Sequence, residues 1–272
     1  MIDRSHAIAV VKGGGDLGTG VAYRLWRAGF HVLCTDLAKP LVIRRSVAFA
    51  SALYDARITV DGAMAQRIMY VDEAVYTWQR NGIPVIADAD GRSIAALHPD
   101  IVIDAVMAKR NTGTTMQDAP VVIACGPGFT ADADCHAVIE TQRGHNLGRV
   151  LHSGSAAADT GVPGTVGGAD VQRIVRAPIA GIMYGRKAIG DIVKVGDIIA
   201  QIDTTIVRAS LGGVVRGLLH DDVRVTENMK IGDIDPRADV SYCYSISDKA
   251  LAIGGGVLEA VFSLRERWQS KG

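Results

Sequence analysis

The sequence has no net charge: 29 lysines and arginines stand against 29 aspartates and glutamates. No overall field therefore recruits nucleic acid or an anionic membrane, and a charged ligand must be held by a local site. Long apolar runs are missing too. Nothing approaches the roughly 20 residues of a membrane span, and the early "AIAVV" (7–11) is too short for a signal-peptide core. A cytoplasmic protein with neither membrane nor nucleic-acid partners is expected. Cysteine is sparse as well: Cys34, Cys125, Cys135 and Cys243 are scattered, with no CxxC pair and no zinc-like spacing. That excludes a disulfide framework and gives no reason to expect a metal site.

What the sequence does have is glycine in particular places. Residues 10–20 read "VVKGGGDLGTG", directly behind the apolar run "AIAVVK" (7–12) and directly before the amphipathic stretch "TGVAYRLWRAG" (19–29). This is a strand, a glycine turn and a helix. "HVLCTD" (31–36) reads as the next strand, and "IPVIAD" (83–88), "DIVIDAVM" (100–107) and "PVVIACG" (120–126) as later ones, with a helix at "VDEAVYTWQRNG" (71–82). Strands alternating with helices predict an α/β domain around a mostly parallel, Rossmann-like sheet over residues 1–151.

Within that frame Gly13, Gly15 and Gly18 fit G-x-G-x-x-G, and Asp36 ends the next strand about 20 residues on, where an acid contacts a ribose hydroxyl. Glycines let backbone N–H groups approach a diphosphate at the positive end of a helix dipole. Asp16 opposes this by placing a carboxylate inside the turn, while Lys12 and the pair Arg44 and Arg45 supply compensating charge. The competing reading is a tight turn with Asp16 capping the helix. A second cluster follows two later strands. Lys109, Arg110, Asn111 and Thr112, with the backbone of Gly126 and Gly128, form the far wall of an anion pocket, or else a solvated loop. His136 and Glu140, four apart, are a weaker candidate acid/base or metal pair, because no third ligand comes at a diagnostic spacing.

Residues 152–172 are small and poor in large apolar side chains, and read as a linker or loop. Beyond it "VRAPIAG" (175–181) recurs as "VRASLGG" (207–213), 32 residues later. With "GDIVKVGDIIAQID" (190–203), this stretch resembles the barrel-sandwich hybrid of biotinyl and lipoyl domains, so residues 173–237 are expected to form such an all-β domain. The turn between the repeats, "QIDTTIV" (201–207), has no lysine, so neither biotin nor lipoyl attachment is expected. Residues 238–272 read as a C-terminal helical segment packing back on the first domain: a helix capped by Ser247, a glycine break at 254–256, and a second helix. Cys243 lies outside these helices beside a loop, either as a thiolate carrying sulfur or selenium or as a packed small hydrophobe.

Across nearly the whole chain, "KGGGDLGTGVAYRLWRAGF", "IRRSVAFASALYD", "MAKRNTGTTMQDAPVVIACGPGFTADADCHAVIETQRGHNLGRV", "KIGDIDPR" and "CYSISDKALAIGGGVLEA" resemble the selenium-dependent molybdenum hydroxylase system protein family, the YqeB group. The resemblance implies an accessory role in maturing xanthine-dehydrogenase-like hydroxylases, with a hydroxylase subunit or its maturation machinery as partner. By analogy, the glycine turn would hold the pyrophosphate of molybdopterin cytosine dinucleotide or another dinucleotide. An NAD(P)-dependent oxidoreductase and a pure interaction scaffold are the alternatives.

Overall fold

The structure, a computed structural model, describes residues 6–159, 168 and 171–269. The chain divides into two units. The first takes its described residues from Met1–Pro40, Phe49–Thr160 and Ile246–Gly272, the second from Leu41–Ala48 and Gly161–Ser245.

The first unit opens with β1 (Ile8–Lys12), α1 (Asp16–Arg27) and β2 (His31–Asp36). The apolar residues of β1 and β2 are buried, as expected for central strands of a parallel sheet. Asp16 in its first turn and Arg24 and Arg27 in its last place α1's charges favourably for the helix dipole. The unit continues with α2 (Ala52–Asp55), β3 (Arg57–Val60), β4 (Ala63–Arg67), α3 (Ala74–Trp78), β5 (Ile83–Ala87), α4 (Arg92–Leu97) and β6 (Ile101–Asp104). It is completed by β7 (Val121–Cys125), β8 (Ala137–Ile139), β9 (Val150–Leu151) and the long α5 (Asp248–Ser263).

These nine strands form one sheet in the order β3-β4-β5-β2-β1-β6-β7-β8-β9. Strands β4 to β8 run parallel, and the edge strands β3 and β9 pair antiparallel to β4 and β8. One face carries Ile8, Val10, Leu33, Val102 and Val122, packed with Ala74 and Trp78 of α3 and Leu97 of α4. Helices α1 and α5 cross in close contact, α1 also touching β1 and β2, and α5 touching β7, β8 and β9.

The expected glycine break in the last helix does not exist. Residues 254–256 lie inside α5, which is continuous from Asp248 to Ser263, and Ser247 caps it by accepting a hydrogen bond from the Ala250 amide at 3.2 Å. The glycines are there for contact. A Cβ on Gly254 would lie 2.5 Å from the Gly20 carbonyl oxygen, and one on Gly20 equally close to that of Ala250. Two helix backbones thus meet where only hydrogen atoms fit, which outweighs the low helix propensity of glycine.

The second unit contains β10 (Ile174–Arg176), β11 (Gly181–Gly185), β12 (Ile192–Val193), β13 (Ile198–Ile202), β14 (Thr205–Arg208), β15 (Gly213–Leu218), β16 (Val223–Val225) and β17 (Lys230–Asp235). They make two four-stranded antiparallel sheets, β10-β17-β15-β12 and β14-β13-β11-β16. The sequence repeat maps β10–β13 onto β14–β17, and this exchange converts one sheet order into the other. Each sheet therefore draws strands from both copies, around a core that includes Met183, Ile199, Ile202, Leu218 and Ile234.

The structure corrects the expected fold class. The large sheet is mixed: seven parallel strands are flanked by the antiparallel edge strands β3 and β9, which a Rossmann-like sheet was not expected to carry. Its β6–β7 and β7–β8 connections carry no helix, and α3 and α4 are only five and six residues long, so the sheet is not wound by regular helical crossovers. Nor is the second unit the expected biotinyl/lipoyl-like barrel-sandwich hybrid of residues 173–237. It is a discontinuous pair of sheets that takes in Leu41–Ala48 from the first half of the chain. Of the stretch read as a linker, residues 160–167 and 169–170 lie outside the described residues.

Leu41–Ala48 joins its unit through arginines. Arg44 donates to Asp233 through Nη2 at 2.6 Å and Nε at 3.1 Å, and Arg45 Nε donates to the Leu218 carbonyl at 2.7 Å. Arg173 also pairs with Asp233, and Arg216 and Arg237 pair with Asp235. Both aspartates are buried. Burial alone would push the Asp233 carboxyl up, but Arg44, Lys230 and Arg173 outweigh it and hold it below the usual range. At Asp235 burial is likewise outweighed, by hydrogen bonds and charge from Arg237 and by Arg216, to about 2. A carboxyl depressed in the folded state contributes stability above its unfolded pKa, near 4, and loses it as pH falls through the folded value. The urea midpoint is therefore expected to drop between about pH 4 and pH 2, and to drop less steeply in Asp235→Asn. An equal slope in the variant would show that this carboxyl does not drive the acid transition.

Candidate functional site

The carboxyl ends of β1 and β6 lie side by side, with Lys12 opposite Asp104. From β1 the chain passes through α1 to β2 on one side, whereas β6 lies on the other, so the sheet order reverses here. Open α/β sheets place ligands at such points. The glycine turn fills this position. Gly13 has φ +90°, and a Cβ there would meet the Ala105 and Val106 backbone at 2.8 Å. Gly18 packs on the Gly13 carbonyl. Gly15 is different: its φ of −65° is open to any residue, so the need for glycine there is not conformational. It is also the N-cap of α1, and no side chain caps that end.

Beside the turn sits a cluster of three side chains. Lys12 Nζ donates to Thr114 Oγ1 and lies 3.6 Å from Asp104 Oδ2. Thr114 Oγ1 in turn donates to Asp104 Oδ2 at 2.6 Å, and Asp104 Oδ1 accepts the Val106 amide at 3.2 Å. Asp104 and Thr114 are buried, and the Lys12 side chain is 13% exposed. A cation is thus fixed at the sheet's carboxyl edge by an inner carboxylate and a hydroxyl. Asp104 and Thr114 were absent from the sequence-derived candidates. The available signal was an acid closing "IVID" in the strand that would flank β1, as Lys12 closes β1.

Asn111 supports the cluster indirectly. Its side-chain oxygen accepts the Gly113 and Thr114 amides and its Nδ2 donates to the Thr114 carbonyl, so it shapes the turn that presents Thr114. Gly128, at φ +101°, lies against the Arg110 backbone, where a Cβ would come within 2.5 Å. The two glycine-bearing loops are therefore packed together. Arg110 and Thr112 are exposed, Lys109 pairs with Asp159 at 2.6 Å, and the Gly126 amide is spent on the Ile139 carbonyl.

Asp36 does something other than sequence spacing suggests. Its carboxylate accepts the Gly14 and Leu37 amides, each at 2.8 Å, and so braces the turn. Burial pushes its pKa up, against these two hydrogen bonds. Arg44 and Arg45 are engaged in the second unit, with Asp233 and the Leu218 carbonyl, in contrast to their expected role at the phosphate. Cys243 is 1% exposed; burial pushes its thiol up, and its Sγ lies 3.8 Å from the Val215 carbonyl oxygen. That is the environment of a packed hydrophobe more than of a reactive thiolate. His136 Nδ1 accepts the Val122 amide at 2.9 Å, and burial lowers its pKa. Glu140 accepts the Gln142 and Ala157 amides, so each of this pair is engaged with backbone. No group of three or more potential metal ligands occurs among the described residues, and no described helix is long and apolar enough to cross a membrane.

Fold and site together define a two-unit α/β protein whose mixed sheet carries a braced glycine turn and a lysine–threonine–aspartate cluster at its reversal point. The chain is 50% identical over 259 residues to the uncharacterized protein YqeB of Escherichia coli (strain K12), a similarity that supports a YqeB-like family. The match covers 95% of the chain and 48% of YqeB, so the chain spans about half the length of this curated relative. No protein-family model matches. Among solved structures, an aspartoacylase family protein from Mesorhizobium loti is 13% identical, with 85% of each chain covered and a TM-score of 0.28. A succinylglutamate desuccinylase/aspartoacylase from Rhodobacter sphaeroides is 13% identical at the same coverage, with a TM-score of 0.26.

Proposed function

We propose that the chain is an accessory protein in the maturation of selenium-dependent molybdenum hydroxylases, and that its β1–α1 turn holds the diphosphate of a nucleotide-containing cofactor, molybdopterin cytosine dinucleotide first among candidates. The maturation role is supported by the sequence blocks that resemble that family. The binding role is supported by one observation above all: the Lys12 ammonium is fixed by Asp104 and Thr114 at the sheet's reversal point, directly before a helix amino end that no side chain caps. That donor set suits a diphosphate. Asp16 in the first turn opposes an anion and narrows the ways in which one fits. The cofactor itself would supply the molybdenum-binding pterin. The chain's residues would bind and orient its nucleotide end and would catalyse no step on it. An NAD(P)-dependent oxidoreductase is less well supported, because Asp36 accepts backbone amides from both of its oxygens where such an enzyme would engage ribose.

Gly15→Val tests this reading, since the φ of −65° at this position is open to any residue and far-ultraviolet circular dichroism reports whether the variant is folded. A branched side chain at the N-cap blocks close approach of phosphate. Calorimetric titration with cytidine diphosphate is expected to show binding to the parent and a loss of at least about tenfold, about 1.4 kcal/mol, in the variant. Folded Gly15→Val protein that binds as well as the parent would reduce the turn to a structural element. Tighter binding of NAD than of cytidine diphosphate would favour the oxidoreductase.

A further inference from the structure

The outer surface of β13 and β14 in the second unit carries an open groove of about 510 Å³. Ile198 and Ile206 form its floor, 37% and 40% exposed. Arg186, Lys187 and Arg208 stand around them, against a single carboxylate, Asp197. The local pattern explains why apolar and basic groups share this face. Along β14 Val207 points into the core, so its neighbours Ile206 and Arg208 both point out. Among the described residues none of the three cations makes an ion pair. Arg186 donates to the Gln201 side chain at 2.7 Å and Arg208 to the Gly196 carbonyl at 2.8 Å, while Asp197 accepts the Lys194 amide at 2.9 Å.

We infer that this groove docks an acidic, partly apolar peptide segment of a partner protein, laid in extended form along β14. Charge complementarity selects the partner's sign: three cations face one carboxylate that is already hydrogen-bonded. The isoleucines select its character, because a small anion would satisfy the cations and leave both side chains in water. The sheet selects its conformation. Strand β14 is the edge of β14-β13-β11-β16, and an edge strand offers its main chain to an added strand whose alternate side chains reach one face. Carboxylates of the peptide would meet Arg186, Lys187 and Arg208, and its aliphatic side chains would cover Ile198 and Ile206. This inference is independent of the nucleotide reading, which concerns the other unit.

The test uses the full chain and a fluorescein-labelled peptide of about ten residues in which every second position, the set that faces the groove, is glutamate or leucine in turn and the positions between are serine, followed by fluorescence anisotropy. Binding is expected to weaken with added salt. It is expected to fall at least about tenfold in the double variant Arg186→Glu and Arg208→Glu. Arg224→Glu, an exposed change on β16, should leave it unchanged, and both proteins should keep the parent's circular dichroism and thermal midpoint. Replacing glutamate by lysine in the peptide should abolish binding. The inference is overturned if the acidic peptide does not bind, or if the lysine peptide binds as well. It is also overturned if the double variant binds normally, if tripolyphosphate displaces the peptide at equal concentration, or if vesicles containing phosphatidylserine compete equally well.

Discussion

Gly254→Val is expected to cost more than about 3 kcal/mol and to abolish cooperative folding of the first unit, because the new side chain must enter space held by the Gly20 backbone. The Arg24 side chain, 2.9 Å from the same Cβ position, can move aside, but the Gly20 backbone cannot. The adjacent Gly255 is the built-in control. Nothing lies within 4 Å of its Cβ position, so Gly255→Ala should stabilise by about 0.5–1 kcal/mol through the entropy of the unfolded chain. Urea denaturation followed by far-ultraviolet circular dichroism reads both. Midpoints that shift in the same direction would show that the α1–α5 contact does not depend on glycine.

The second large effect is expected at Lys12. Lys12→Met leaves the Asp104 carboxylate buried with only Thr114 and the Val106 amide to satisfy it, and breaking such a pair from one side costs about 3 kcal/mol. The double variant Lys12→Met with Asp104→Asn should recover more than half of that loss, since no buried charge is left uncompensated. A double variant as unstable as the sum of the two singles would mean that the lysine and aspartate act separately. In that case Asp104 would not be what positions the ammonium.

The central strands were readable because their signal is local. "AIAVVK", "HVLCTD", "IPVIAD" and "PVVIACG" are buried runs of β-branched residues, and the structure places β1, β2, β5 and β7 within them. The β3–β4 hairpin was not, since "RITVDGAMAQR" carries one strongly β-forming run followed by alanines, and its pairing is decided by β5 alongside it. The glycines at 254–256 were misread because propensity describes an isolated helix, whereas these residues answer to a neighbouring backbone. Lys12 and the glycine turn were legible as a unit. Asp104 and Thr114 were not, because their role exists only once β6 lies beside β1. Arg44 and Arg45 mislead for the same reason: a charge pair in sequence says nothing of Asp233, to which Arg44 is bound.

The interleaved pairing of the second unit also sets the order in which the chain becomes stable as it is synthesised. Among the described residues, strand β10 lies at a sheet edge and pairs only with β17, which is made after every other strand of the unit. Neither copy of the repeat can close its sheets alone, and the first copy must wait with unpaired edges exposed. The first unit waits longer still, for α5 to reach α1. Such a contact map of distant partners predicts slow folding and a nascent chain that depends on holding factors to keep its strands from pairing wrongly.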